Sequence, residues 1–250
     1  MPGVSADPAW RRVGDGLVNF YVVAEGSALT LVDAGLPGHW RQLEGTLGSI
    51  GRSVEDIRAV LVTHGHPDHF GLAERLRETV GADVWVHALD APILTSAHIN
   101  RWPRPERGLL RYVGYGPRVF RGPLNLVRRG GLLIRAVRAV RTFQGGESIE
   151  APGRPRAVHM PGHTRGSAAF VFEERGLVFT GDALVTIDDL TGGVGPRVLC
   201  RAFTQSSQQA LTSLDRLSRL TAALLLPGHG EPWDGTPSDA VRIARQVGVA

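Results

Sequence analysis

Lysine is absent from the 250-residue sequence, and cysteine occurs only once, as Cys200. All 28 basic residues are therefore arginines. Without lysine, no side chain can form a Schiff base with a substrate or act as an amine general base. A single cysteine cannot form an internal disulfide, which fits a reducing cytoplasm. We interpret Cys200 as a small buried hydrophobic residue rather than as a nucleophile.

Long hydrophobic runs are also missing. No apolar segment reaches the roughly 20 residues that cross a membrane, and the first residues, MPGVSADPAW, do not combine a charged head with an apolar stretch. We therefore expect a cytoplasmic protein with no membrane span and no signal peptide. A chain of 250 residues with 42% hydrophobic content can bury a sizeable core. We treat residues 1–250 as a single domain.

Acidic residues are scarce in one region of the chain. Residues 95–150 contain eleven arginines against three glutamates, a net charge of +8, whereas the remainder carries −4. The chain is thus a mildly acidic body with one basic insert, residues 95–150. We predict that this insert is helical and that it forms a lid over the active site.

An amphipathic pattern in segment 125–143 supports the helical prediction, although Gly130 and Gly131 interrupt it. The apolar face of this pattern consists of Leu126, Leu133, Val137 and Val140. We interpret the face as a core or domain contact rather than as a membrane anchor.

Hydrophobic patterning elsewhere predicts strands that alternate with helices. Segment 17–35 contains two β-rich runs joined at Glu25-Gly26-Ser27, which is a hairpin signal. Segment 57–63 is a continuous β-branched run, as expected of a strand covered on both faces. Further strands are predicted in segments 82–88, 155–162, 167–174, 176–183 and 222–230. Helices are predicted after Pro37 and in segments 70–81, 204–220 and 238–248, the last with Ser238 as its N-cap. This alternation indicates an α/β fold with a mixed sheet, or a pair of sheets, covered by helices.

The most distinctive segment is VTHGHPDHFG, residues 62–71, which directly follows a predicted buried strand. It places four metal-binding side chains within six positions: His64, His66, Asp68 and His69. Loops that leave buried strands are where α/β sheets present reactive groups. Imidazole and carboxylate together suit Zn²⁺ and, less selectively, Fe or Mn. We therefore predict a metal site here.

Three later turns offer further ligands at strand exits. MPGHTRGS presents His163, FTGDAL presents Asp182, and LPGHGEP presents His229. The seven candidates divide into two sites. The first consists of His64, His66 and His163, the second of Asp68, His69 and His229, with Asp182 bridging them.

The sequence patterns HxHxDH, PGHTxGS, TGD and GHG, in this order, resemble the metallo-β-lactamase fold superfamily, which includes glyoxalase II and the quorum-quenching lactonases. The resemblance extends from about residue 17 to residue 235, interrupted by the insert. It implies an αβ/βα sandwich of two mixed β-sheets flanked by helices, with a dinuclear site, two Zn²⁺ ions, at one edge of the sheets. It also implies that Asp33 steadies the histidine turn rather than binding metal.

A dinuclear site indicates a hydrolase. Two metals about 3.5–4 Å apart can share one water and lower its pKa toward about 7, so that a metal-bound hydroxide is available at neutral pH. The first metal would polarise the substrate oxygen. Asp68, besides binding the second metal, is predicted to be the catalytic residue that accepts the proton. Asp182 would fix the distance between the metals.

The ligands specify hydrolysis better than they specify a substrate. Our first hypothesis is a small-molecule ester, lactone or thioester, with an acyl chain against the apolar residues of the insert and an anionic group near its arginines. One alternative is a phosphodiesterase or nuclease whose insert binds phosphates. Aromatic residues are sparse among these arginines, so nucleic acid is the less favoured partner. A second alternative is a β-lactamase. The oligomeric state stays open.

The other histidines do not belong to these four sequence patterns. We interpret His39, His87 and His159 as structural or solvent-facing. His98, at the start of the insert, is kept open as a residue near the mouth of the site.

Overall fold

The structure, a computed structural model, describes residues 9–96 and 102–250. Its first sheet contains six strands in chain order. They are β1 (Trp10–Gly14), β2 (Asn19–Glu25), β3 (Ala28–Val32), β4 (Ile57–Val62), β5 (Asp83–His87) and β6 (Arg141–Phe143). Strands β1 to β3 are antiparallel, and β3 to β6 are parallel. The predicted hairpin joins β2 to β3.

The second sheet has the order β13-β12-β9-β8-β7, and β10 and β11 form a separate two-stranded sheet. These strands are β7 (Arg156–His159), β8 (Ala168–Phe172), β9 (Leu177–Gly181), β10 (Val185–Asp188), β11 (Gly193–Arg197), β12 (Leu224–Pro227) and β13 (Trp233–Asp234). Strand β12 runs parallel to β9, whereas the other pairs in this sheet are antiparallel. The carboxyl ends of β9 and β12 therefore meet at one edge.

The described residues contain seven α-helices. They are α1 (Trp40–Gly48), α2 (Pro67–Phe70), α3 (Ala73–Val80), α4 (Ala91–Ser96), α5 (Arg121–Arg128), α6 (Ser207–Ser218) and α7 (Pro237–Val247). Helices α1 and α3 cover the outer face of the first sheet, and α6 and α7 that of the second. Helix α7 begins earlier than predicted: Thr236, not Ser238, is its N-cap and accepts the Asp239 N–H. Pro237 then occupies the first helical position, where no N–H is needed. None of the helices in residues 9–96 and 102–250 combines the length and the apolar character required of a membrane span.

Alternation of side chains along each strand creates the layers. In β4, Leu61 faces the second sheet and packs in one cluster with Phe170 and Phe179. Its neighbours Val60 and Val62 face the opposite way, toward α1 and α3. The second sheet similarly buries its outer face against α6 and α7. The predicted αβ/βα sandwich of two mixed sheets flanked by helices is thereby confirmed.

The helix predicted in segment 125–143 is wrong beyond Arg128. Helix α5 ends there because Gly130 adopts a left-handed conformation, with φ of 75°. The chain then becomes extended and enters β6 of the first sheet. The apolar stripe consequently has no common face, since Leu133 is 79% exposed whereas Val137 is fully buried in the first core.

Cys200 connects the insert to the segment after β11. It is fully buried and packs in a small cluster with Tyr112, Val119, Leu190 and Ala202. Burial raises the pKa of its thiol to about 12, and the nearby Asp188 carboxylate adds to this effect. The interpretation of Cys200 as a buried hydrophobic residue is confirmed.

Candidate metal centre

All seven predicted metal-binding side chains lie at one edge of the sandwich. Four follow β4, where His66 precedes the short helix α2 and Pro67 begins it. His163 comes from the turn between β7 and β8, while Asp182 and His229 follow the parallel strands β9 and β12. The two sheets thus contribute from opposite sides of the same opening.

Three ring nitrogens form a tight triangle in the first group. His64 Nε2 lies 3.1 Å from His66 Nδ1, which lies 2.7 Å from His163 Nε2, and the third side of the triangle measures 3.0 Å. Tetrahedral Zn–N bonds of 2.0–2.1 Å would space such nitrogens by about 3.3 Å. Burial, together with the repulsion of neighbouring imidazoles, holds the pKa of His64 and His163 well below the usual value. The rings are therefore neutral, with lone pairs available for a cation.

The second group is more open. Asp68 Oδ2 lies 3.7 Å from both His69 Nε2 and His229 Nε2. Asp182 lies between the two groups, because its Oδ2 is 3.1 Å from His229 Nε2 and 3.3 Å from His163 Nε2. This is the arrangement expected of a carboxylate shared by two cations.

Electrostatics in the second group follow from buried opposite charges. Although burial opposes ionisation of Asp182, the charges of His229 and His69 hold its pKa well below the usual value. Burial likewise opposes protonation of the two imidazoles. The carboxylates, Asp182 foremost, nevertheless raise the pKa of His69 to about 9 and that of His229 to about 10. The site therefore has a strong preference for positive charge beside Asp182.

The buried atoms that lack a hydrogen-bond partner in the described residues include His69 Nε2 and Asp182 Oδ1. These two atoms lie 3.6 Å apart. Leaving such atoms unpaired is costly, and divalent cations would satisfy them. Gly228 keeps the space around them clear, since a Cβ there would lie 2.3 Å from Asp182 Oδ1 and 2.7 Å from His69 Cε1. The donor set and its surroundings fit bound metal.

Asp33 orients the histidine turn. Its Oδ2 accepts hydrogen bonds from His69 Nδ1–H at 2.8 Å and from the Thr63 hydroxyl at 2.9 Å, and its Oδ1 accepts the Thr63 backbone N–H at 2.8 Å. These contacts fix the His69 tautomer whose Nε2 is free to bind metal. They agree with the role that the family resemblance implies for Asp33. His229 is oriented similarly, through a hydrogen bond from Nδ1 to the Leu17 carbonyl.

A second positioning carboxylate, Asp90, was not foreseen from the sequence patterns. It is buried and accepts hydrogen bonds from Gly65 N–H, the Thr164 hydroxyl and Gly166 N–H at 2.6–2.8 Å. One side chain therefore ties the histidine turn of the first sheet to the His163 turn of the second. The available signal was the polar Thr164 within the PGHTRGS turn, which requires a buried partner.

The other described histidines are structural. His39 is buried and bonds to Asp15 through Nε2 at 3.0 Å. His87 bonds to the Gln144 carbonyl at 2.9 Å and stacks on His159 with ring centroids 4.0 Å apart. His98 lies outside the described residues.

A cavity of about 320 Å³ opens above the centre. Five metal-site side chains contribute to its surface: His66, Asp68, His163, Asp182 and His229. Most of the remaining wall is apolar, and the insert supplies much of it, including Trp102, Pro103, Pro105, Pro123 and Leu126. Within the described residues no arginine lines the cavity. Arg121 of the insert lies just outside this lining, 3.7 Å from Asp189, which is part of it. The expectation that arginines of the insert meet an anionic group of the substrate stays a prediction.

Two sheets packed between two layers of helices, with a histidine and aspartate cluster at one sheet edge, define a metallo-β-lactamase-fold hydrolase. In agreement, the model of the metallo-beta-lactamase superfamily matches residues 13–229, and the chain belongs to this superfamily. An uncharacterised protein of Mycobacterium tuberculosis is 32% identical over 228 residues, which cover 85% of each chain.

Two solved structures share both the fold and a quarter of the sequence. The metallo-beta-lactamase family protein TTHA1429 from Thermus thermophilus has a TM-score of 0.69 and 26% identity, covering 97% of this chain and 80% of its own. TTHA1623, solved in a di-iron-bound form, has a TM-score of 0.63 and 26% identity, covering 94% of this chain and 97% of its own.

Proposed function

We propose that the protein is a dinuclear metal-dependent hydrolase that cleaves an ester, lactone or thioester carrying an apolar acyl part. The observation that carries this proposal is the composition of the cavity. Its base holds the histidine and aspartate cluster, and its walls are mostly apolar. An apolar enclosure around a few convergent polar groups favours a small molecule with a hydrophobic body and one reactive polar bond. In the family, this corresponds to the branch that includes glyoxalase II and the lactonases.

The ligand assignment follows the two groups of donors. His64, His66 and His163 would hold one ion, and Asp68, His69 and His229 the other, with Asp182 shared between them. When bound, two Zn²⁺ ions would supply an activated water at neutral pH and an electrophilic contact for the substrate carbonyl. Fe or Mn are alternatives, and the di-iron form of TTHA1623 supports iron.

Asp68 is the candidate proton acceptor. Its side chain is 22% exposed, whereas that of Asp182 is 3% exposed. Asp68 also lines the cavity, so its carboxylate can reach both the cluster and a substrate. It would take the proton released during attack on the carbonyl and pass it to the leaving group. Apolar neighbours such as Leu36 and Leu126 would keep bulk water from the reacting bond.

The insert would act as a lid. Helix α5 contributes Pro123 and Leu126 to the cavity wall. The end of the helix is fixed to the body of the protein, because Arg129 Nε bonds to Asp15 at 3.1 Å and the Arg129 carbonyl accepts Gly38 N–H at 2.8 Å. A wall held in this way supports a preformed substrate site.

The alternatives fit the cavity less well. A phosphodiester would have its cationic partners in the two metals themselves, but the described wall adds no arginine and is mostly apolar, which favours a less charged substrate. A nucleic-acid chain would have to place its flanking phosphates outside the cavity. A β-lactamase remains compatible with the metal centre, and its substrate is included in the test below.

The test is a matched set of initial hydrolysis rates. The substrates are a long-chain acyl-homoserine lactone, an acyl-glutathione thioester, a chromogenic β-lactam and a bis-aryl phosphodiester. Asp182→Ala serves as the blank, and Asp234→Ala, which removes an exposed carboxylate of β13, as the matched control. We expect turnover of the carbonyl substrates, with acyl compounds preferred over the β-lactam. Turnover of the phosphodiester alone would overturn the proposal.

A further inference from the structure

The insert carries an exposed apolar surface. Eight of the eleven exposed large hydrophobic side chains in the described residues lie between positions 110 and 133. We call this set the outer patch: Leu110, Val113, Tyr115, Phe120, Leu124, Val127, Leu132 and Leu133. Leu110 is 84% exposed and Leu133 79%. Such a concentration of exposed apolar side chains marks an interaction surface.

The same region is strongly and uniformly basic. Residues 107–146 contain nine arginines and no aspartate or glutamate. Arg111, Arg118 and Arg128 are exposed, and none of them has a carboxylate oxygen of a described residue within 4.0 Å. These three cationic side chains thus flank the outer patch without a carboxylate partner, whereas Arg121, Arg129, Arg135, Arg138 and Arg141 each pair with a carboxylate of the body.

Helix α5 shows how the two properties combine. Gly122, Asn125 and Leu126 are on the face that lines the cavity. The opposite face presents Leu124, which is 46% exposed, and Val127, which is 55% exposed, between the exposed arginines 121 and 128. One helix therefore separates the cavity from an outward surface that is both apolar and basic.

We propose that the outer patch and its arginines dock on an anionic phospholipid bilayer. Basic residues that flank large apolar side chains combine attraction to anionic headgroups with insertion at the acyl boundary. A second copy of this chain fits less well, because a symmetric contact would bring two sets of unpaired arginines together. Nucleic acid would pair with the arginines but leave the leucines without partners. Of the apolar stripe in segment 125–143, only Leu133 belongs to the outer patch, whereas Val137 and Val140 make the core contact that the sequence pattern predicts.

The test is cosedimentation of the full chain with large unilamellar vesicles. Vesicles of phosphatidylcholine mixed with phosphatidylglycerol are compared with vesicles of phosphatidylcholine alone. We expect binding to the anionic vesicles only, weakened by 0.5 M NaCl because salt screens the arginines. The double variant Leu132→Ser/Leu133→Ser should bind at least tenfold more weakly. The affinity of Arg111→Gln/Arg128→Gln for anionic vesicles should fall roughly 25-fold, or about fivefold for each arginine near the membrane surface.

Two controls match these variants in chemistry. Val247→Ser removes an exposed apolar side chain of α7, and Arg219→Gln removes an arginine that follows α6. Both should bind like the parent chain, and all variants should keep its thermal unfolding midpoint. Absence of binding to anionic vesicles would overturn the proposal. The proposal would also be overturned if the chain bound no vesicles but formed a dimer or an RNA complex, and if both double variants abolished that dimer or complex. None of these outcomes depends on hydrolytic activity, so the proposal stands or fails separately from the proposed function.

Discussion

His69 Nδ1–H donates a hydrogen bond of 2.8 Å to Asp33 Oδ2, and this bond leaves His69 Nε2 as the only ring nitrogen that faces the metal centre. Asp33 itself has a left-handed backbone, with φ of 61°, and is buried. Burial raises the pKa of Asp33, although the neighbouring His69 opposes this. A strained, buried carboxylate at this position is maintained because three donors converge on it.

Asp33→Asn should remove one metal equivalent from the second group. Asparagine tolerates the left-handed backbone, but its single amide oxygen replaces two acceptor oxygens. Either His69 or Thr63 then loses its partner. We expect metal affinity or activity to fall about 10–100-fold, as measured by metal analysis and steady-state rates. Asp234→Asn is the matched control. Unchanged metal content and rate in Asp33→Asn would show that His69 does not need this partner.

Substitutions of Asp182 and of Asp68 should have different effects on metal content and activity. Asp182→Ala removes the carboxylate between the two groups, so metal and activity should disappear together. Asp68→Asn should keep metal in the three-histidine group and lose about 10²–10⁴-fold in kcat, as expected when a proton acceptor is removed. Metal stoichiometry and kcat measured on the same preparations distinguish the two cases. A metal-loaded, fully active Asp182→Ala protein would refute the shared-carboxylate assignment.

Asp90→Ala should reduce both stability and metal content. It leaves the buried N–H groups of Gly65 and Gly166 without an acceptor, whereas the Thr164 hydroxyl keeps its contact with Ser167 Oγ at 2.8 Å. We expect a loss of about 2 kcal/mol or more in the free energy of unfolding. Because Asp90 joins the two turns that carry the three-histidine group, metal binding should weaken as well. Denaturant unfolding and metal analysis measure the two effects.

A second buried carboxylate provides the control for Asp90. Asp188 also accepts three hydrogen bonds, all of them from backbone N–H groups, those of Leu190, Thr191 and Cys200. Asp188→Ala should lose comparable stability while retaining metal. Equal metal loss in both variants would mean that metal content follows general destabilisation rather than the link made by Asp90.

Asp15→Asn should show a stability effect that depends on pH. Burial acts to raise the pKa of Asp15, but hydrogen bonds from His39 and from the N–H groups of Leu17 and Val18 outweigh it and hold this pKa below its usual value. A lowered native pKa stabilises the fold above the unfolded value of about 3.9 and ceases to do so as pH falls toward the native value.

The free energy of unfolding of the wild-type chain should therefore exceed that of Asp15→Asn by about 2 kcal/mol at pH 7. The difference should shrink progressively below about pH 4. Urea unfolding at pH 7, 5, 4 and 3 measures it, with Asp234→Asn as the exposed control. A difference that is constant across this range would indicate lost packing rather than lost charge.

The sequence was most informative where function is encoded in contiguous residues. Four donors within residues 64–69 follow a buried strand, and glycines flank His163 and His229, so local pattern alone predicted that these side chains would meet. Asp90 could not be predicted in this way. Its hydrogen-bond partners are 25 to 76 residues distant in the chain, and its own neighbours form no recognisable pattern.

The insert shows a different limit of predicting secondary structure from sequence. Segment 125–143 has a helical period, but tertiary contacts decide its structure. Gly130 ends α5, and residues 141–143 gain more from pairing with β5 than from continuing a helix. The β10–β11 hairpin was likewise missed, because its second strand, GVGPR, contains little of the β-branched pattern that marks a strand.

The burial of Cys200 has a practical consequence for spectroscopy. The sequence has no lysine, and its one thiol is buried with a pKa of about 12, so labelling reagents find neither a lysine amine nor an exposed native thiol. A cysteine introduced by Leu133→Cys would accept a fluorophore at one known position without removal of any native residue that reacts. Quenchers placed at different depths of a bilayer could then locate this part of the insert.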